Sequence, residues 1–272
     1  MEYILYIIIF LIGIYFGSFF TLAVYRIPKG ENITYKHSYC PNCNHRLGIL
    51  DLVPVFSYIF LGGKCRYCKQ KIRPRYLMLE ILSGLVFVLF AMSLNIDLYN
   101  LDTNKLIYLV IGLLYFSSLF IIAGIDKEKN IIIKSVLAYN LFVCFIYMIY
   151  SCTMNYYNVY AYVIYLIFTI ILLVIDGYIL KKKLNQSYVL ELLILLISMV
   201  IFCKEYATIF TIMLTFFTIG IYLLLKKVKQ NSRKTIITTK NKEDKLPIGF
   251  FLCISNIIVI IISNFICNFG LI

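Results

Sequence analysis

Long apolar runs separated by short polar stretches dominate the chain. A membrane crossing needs about 20 apolar residues, and eight runs meet or approach that length: 3–25, 76–94, 106–125, 135–152, 158–180, 188–203, 207–225 and 247–270. The sixth is the shortest and is interrupted by Glu191. The pattern predicts an all-α polytopic integral membrane protein of about eight transmembrane helices. The stretches between the runs alternate in charge. Those at 26–75, 126–134, 181–187 and 226–246 are rich in Lys and Arg, whereas 95–105, 153–157 and 204–206 are poor in them. Basic loops stay in the cytoplasm, so the alternation predicts a multi-pass protein of the inner or plasma membrane with both termini outside. The first run has neither a basic leader nor a small-residue cleavage site, and is expected to be a retained helix.

Composition agrees with the pattern. Hydrophobic residues make up 62% of the 272 and charged ones only 14%, where soluble domains carry about a quarter charged. The net charge of +13 does not point to nucleic acid. It lies in the inter-helix loops, where it orients the chain in the bilayer, and no nucleic-acid-reading fold accompanies it. The lipid bilayer is the partner that composition implies.

The 26–75 loop holds most of the remaining signal. Cys40-Pro-Asn-Cys43 and Cys65-Arg-Tyr-Cys68 are separated by 21 residues. Each C-x-x-C turn brings two thiolates to one point, and two such turns complete the four-sulfur tetrahedron of structural zinc. The loop is therefore expected to be a cytoplasmic, zinc-ribbon-like module. A reducing compartment argues against disulfides, and four closed ligands leave the metal no open position for chemistry. His37 and His45 are read as solvated loop residues. The other cysteines, Cys144, Cys152, Cys203, Cys253 and Cys267, fall in or beside apolar runs, where cysteine acts as a small hydrophobe.

Glu80, Asp126, Asp176 and Glu191 lie inside or at the edge of spans, all near the predicted cytoplasmic level. Such groups mark functional sites by default, although each alone can instead pair with a loop lysine or cap a helix. Two facing carboxylates share one proton, which lets one act as base toward water and the other as acid. Periodicity alone does not choose the partner of Asp126. A transporter is the competing use of intramembrane acids, but these acids gather at one face and no inverted repeat is visible.

These residues bring the chain close to a known family. "GSFFTLAVYRIP" (Gly17 to Pro28), the cysteine region from Cys40 to Gly84, "IDKEKNIII" around Asp126 and "LPIGFFLCISN" (Leu246 to Asn256) resemble segments of the bacterial type IV prepilin leader peptidases. These are membrane aspartic peptidases that also N-methylate the processed pilin. The resemblance implies cleavage of type IV prepilin or pseudopilin precursors at the cytoplasmic face, with S-adenosylmethionine as methyl donor. It also implies a division into 1–84, the N-terminal region with the first span and the four-cysteine domain at 26–75, and 85–272, the transmembrane peptidase core. Asp126 maps to the first catalytic aspartate. The second, carried in the family by G-x-G-D-x-K-L, has no literal counterpart. Aligning the following span places Glu191 there, 65 positions after Asp126, without the glycines or the lysine, while Asp176 falls in the preceding run. Thr21 replaces the Asn of the opening motif, and Lys134 stands near a further family aspartate. The expected catalytic pair is thus Asp126 and Glu191. The alternative is a catalytically degenerate paralogue serving as a membrane scaffold for pilin assembly.

Overall fold

The computed structural model describes residues 2–33, 35, 37–96, 102–154, 159–181, 187–231 and 246–268. Parts of the loops whose charges set the expected orientation, at 97–101, 155–158, 182–186 and 232–245, lie outside the described residues. The described residues form eight α-helices in order: α1 Glu2–Arg26, α2 Phe56–Phe60, α3 Arg75–Ser93, α4 Thr103–Lys129, α5 Lys134–Thr153, α6 Val159–Lys181, α7 Ser187–Asn231 and α8 Ile248–Asn268. Among the described residues there is no strand, and seven helices are long and apolar enough to cross a membrane. Backbone polar groups find no water in lipid, so a chain this apolar satisfies them within helices. The protein is an all-α integral membrane protein. Asparagines mark two helix ends. Asn95 and Asn130 adopt positive φ (47° and 52°), and the Asn130 N–H closes on the Asp126 carbonyl at 2.7 Å, a left-handed C-terminal cap.

Seven helices stand where the sequence predicts eight crossings because runs six and seven are continuous in α7. Straight, its 45 residues would extend about 68 Å, more than twice the hydrocarbon thickness. It is not straight. Lys204 breaks it with φ 65° and ψ 173°, a region close to glycine-only. Tyr188 bonds to Gly249 and Tyr222 packs on Phe251, ring centres 5.3 Å apart. A straight helix would hold those tyrosines about 51 Å apart, so α7 folds back at Lys204 into two antiparallel halves. The predicted boundary at 204–206 is there, but as a kink with no loop.

The chain forms two compact units, Met1–Ile121 with Asn264–Ile272, and Ile122–Ser263. In the first, α1 and α3 pack along glycines. A Cβ on Gly13 would stand 2.7 Å from Gly84 Cα, and one on Gly17 would stand 2.7 Å from Glu80 Cα. This G-x-x-x-G approach lets the Ser83 hydroxyl donate to the Gly13 carbonyl at 2.7 Å. In the second unit, α7 packs on α5 and α6. Tyr147 of α5 lies 4.6 Å from Phe202, ring centre to ring centre, and the Cys144 thiol donates to the Ser198 carbonyl.

Candidate functional site

The two C-x-x-C segments fold into the same turn twice. In the first, the Cys40 N–H donates to the His45 carbonyl (3.0 Å) and the Asn44 N–H to the Cys40 carbonyl (2.8 Å). In the second, the Cys65 N–H donates to the Gln70 carbonyl (2.9 Å) and the Lys69 N–H to the Cys65 carbonyl (3.0 Å). An isolated antiparallel bridge closes each turn, Tyr39 with Arg46 and Lys64 with Lys71. The residue after the second cysteine is left-handed in both, Asn44 at φ 56° and Lys69 at φ 57°. Backbone amides thus aim the sulfurs before any metal is considered. All four Sγ atoms lie within 4.8 Å of one another, and Cys40 Sγ stands 3.8 Å from Cys68 Sγ. A tetrahedron with metal–sulfur bonds of about 2.3 Å has edges of about 3.8 Å. Cys40, Cys43, Cys65 and Cys68 can hold a metal ion, and the group fits zinc.

Polar groups around the thiols complete the module. Asp51, which the motif reading passes over, ties the turns together: Arg66 Nε donates to Oδ1 at 2.6 Å, while the Tyr67 hydroxyl and the Gly48 N–H donate to Oδ2. Burial pushes the Asp51 carboxyl up, but the Gly48 amide and the Arg66 guanidinium outweigh it and hold it below the ordinary value. The Gln70 amide, then the Asn42 side chain, pull the Cys68 thiol down to about 6. The His45 amide pulls Cys43 down, yet desolvation and the neighbouring Cys40 and Cys68 sulfurs prevail and push it up to about 11. Arg26, buried at the end of α1, donates to the Asn32, Ile33 and His37 carbonyls and anchors the approach to Cys40. Neither histidine joins the sulfur group. His45 stacks on Tyr67 and His37 meets Arg46.

The four carboxylates singled out in the sequence are all buried, with Asp126 0%, Glu191 5%, Asp176 6% and Glu80 9% exposed. None is a solvated surface charge. Glu80 accepts the Val55 N–H at 2.7 Å and so tethers the cysteine loop to α3. Asp176 is ion-paired with Lys134 across α6 and α5, which is the ordinary use of such an acid. Asp126, in the last turn of α4, sits at the start of α8. The first-turn amides of a helix lack partners within it, and here the Phe250 N–H donates to Asp126 Oδ2 at 2.9 Å. The Gly249 N–H goes to the Tyr188 oxygen at 3.3 Å, and the Tyr188 hydroxyl donates to Asp126 Oδ1 at 2.9 Å. Gly249 is small of necessity, since a Cβ there would stand 3.1 Å from Asp126 Oδ2.

Glu191 lies one turn beyond Tyr188 on α7. Its charged neighbours are Lys134 and Asp176. Asp126 meets Tyr188, one turn of α7 before Glu191, and among the described residues no direct hydrogen bond links the two acids. Tyr188 and Gly249 carry no chemical signature in the sequence. The only hint of the first is its position three residues before Glu191, on the same helical face.

Comparison with known proteins covers the N-terminal third best. The bacterial peptidase A24 N-terminal domain family matches residues 11–94. Among curated relatives, "Prepilin leader peptidase/N-methyltransferase" of Klebsiella pneumoniae is 33% identical over 132 residues, 46% of this chain and 53% of the relative. The protein of the same name from Vibrio cholerae serotype O1 is 32% identical over 157 residues, 54% of this chain and 58% of the relative. That of Myxococcus xanthus is 35% identical over 81 residues, 30% of this chain and 24% of the relative. The chain thus spans little more than half the length of the first two. No solved structure matches it.

Proposed function

We propose that the chain, whose residues 11–94 match the bacterial peptidase A24 N-terminal domain and which is similar to prepilin leader peptidase/N-methyltransferases, belongs with them and is a membrane aspartic endopeptidase. It removes the leader of type IV prepilin or pseudopilin precursors at the cytoplasmic face of the membrane. The observation that supports this most is the burial of Asp126 beside the turn of α7 that carries Glu191. The two acids work on one water. One carboxylate takes a proton from it, and the other delivers a proton to the leaving amine. Such substrates join a short basic leader to an apolar helix. The scissile bond therefore lies at the membrane boundary, where the acids are expected and where helices can hold the apolar stem by packing. Asp176 is less suited than Glu191, because Lys134 already occupies it.

Cys40, Cys43, Cys65 and Cys68 hold structural zinc, which folds the loop and takes no part in the hydrolysis. The relatives' names add N-methylation. The corresponding expectation is methyl transfer from S-adenosylmethionine to the new N-terminus, with no residue assigned to it. Asp126→Ala is expected to abolish cleavage of a matched precursor by the detergent-solubilised protein while membrane insertion is kept. Mass spectrometry of the product N-terminus checks this, and undiminished processing overturns the assignment. A second reading, a degenerate paralogue that scaffolds pilin assembly, draws on Glu191 and Tyr188 standing where the family pattern has Asp and Gly. Failure of the unmodified protein to cleave any matched precursor favours it.

A further inference from the structure

Resting on the reading of Asp126 and Glu191 as the acid pair, we infer that Tyr188 fixes Asp126 as the unprotonated member, so that Asp126 is the base and Glu191 carries the proton. The argument is one of donors. A phenol has a single proton. The Gly249 N–H points at the Tyr188 oxygen and can only donate, so the phenol proton is directed to Asp126 Oδ1, 2.9 Å away. Oδ2 receives the Phe250 N–H at 2.9 Å. Both oxygens of Asp126 are thus occupied by donors, the environment of a carboxylate. Ionisable groups nearby include the Cys253 thiol, close enough to feel the Asp126 charge, and Lys127, whose ammonium lies over the Phe250 ring.

Around Glu191 the charges balance differently. Asp176, Glu191 and Lys134 are grouped at the adjoining ends of α6, α7 and α5. One ammonium neutralises one carboxylate, and the ion pair gives Lys134 to Asp176. A neutral buried cluster then leaves the proton on Glu191. Asp176 Oδ1, buried and without a hydrogen-bond partner among the described residues, adds an acceptor to this cluster.

The assignment fixes the direction of proton flow. Water oxygen bonds to the scissile carbonyl carbon as its proton passes to Asp126. The carbon–nitrogen bond breaks as Glu191 gives its proton to nitrogen. Return of the proton from Asp126 to Glu191 restores the resting pair. Tyr188 holds the position of the first glycine in the family's G-x-G-D pattern, so this is a device of this chain and acts as a positioning residue.

The test is carboxyl modification of the full-length protein in detergent at pH 7 with dicyclohexylcarbodiimide, which attacks protonated carboxyls, read peptide by peptide by mass spectrometry. Glu191 is expected to react several-fold faster than Asp126. In Tyr188→Phe, Asp126 should react roughly tenfold faster than before, because a hydrogen bond to a charged group is lost. Precursor cleavage by that variant should fall in kcat with KM kept. Equal reaction of Asp126 and Glu191 in the unmodified protein overturns the inference, and this arm stands even where the variant does not fold. An unchanged Asp126 rate in a folded Tyr188→Phe protein overturns it as well. The expected labelling without cleavage of any precursor refutes the peptidase reading and leaves the role of Tyr188 intact.

Discussion

One methylene separates the side chain of Glu191 from the aspartate that the family pattern carries, and near a reacting centre that length matters. A displacement of about 1 Å can change a rate on the order of 10²-fold. Glu191→Asp is accordingly expected to raise kcat for precursor cleavage by about tenfold or more, measured with purified protein and a matched precursor. No change in an active enzyme would transfer the second role to Asp176. The companion acid was visible in the sequence as an isolated carboxylate at a helix end, but its setting was not. That Asp126 rests on the α8 amides through Phe250, and that Tyr188 reaches it from 62 positions away, follows from packing. Lys134 was noticed only as a departure from the family pattern, and its pairing with Asp176 became evident once α5 and α6 were brought together.

Among the elements, the cysteine loop was the most legible. C-x-x-C imposes its own local turn, and the repeat of the pattern announced the second ligand pair. The strap through Asp51 was not, because an Asp that accepts from Arg66 and Tyr67 looks in sequence like any loop acid. Zinc analysis of gently extracted protein is expected to give one ion per chain, and Cys40→Ser with Cys65→Ser to give none. Acid should act in the same direction. The Cys68 thiol, at about 6, is ionised above that value and takes up a proton as the pH falls through it. Metal binding competes with protons for thiolates, so retention should decline as the pH is lowered. Asp51 adds to this. Its carboxyl is held below the unfolded value, so its stabilisation is present above the ordinary carboxylate range and is lost as the pH falls through the depressed value. Zinc retained undiminished at pH 4 would contradict the assignment. The element that sequence drew differently is α7. An apolar run with a polar break at 204–206 suggests two helices and a loop, and the chain instead reverses at the single residue Lys204.

For the whole molecule, we propose from the alternating charge of the loops that the four-cysteine module faces the cytoplasm. Cys43 is exposed and Cys68 half-buried, which makes the expectation measurable. After chelation, a membrane-impermeant maleimide should label them in inside-out vesicles and not in right-side-out ones. The reverse pattern would invert the proposed topology and place the acids on the wrong face for a cytoplasmic cleavage.

Sequence alone determined the solvent of this protein and the chemistry of its loop. Both are set by interactions local in the chain: uninterrupted apolar runs that must become helices in lipid, and cysteines with two residues between them that must share a turn. Tertiary structure decided which acids are engaged and by what. A buried carboxylate is defined by the donors facing it, and those of Asp126 come from α7 and α8, dozens of residues away. No periodicity along the chain encodes that meeting. It arises when helices pack closely enough for a glycine such as Gly249 to bring backbone amides within reach of an acid.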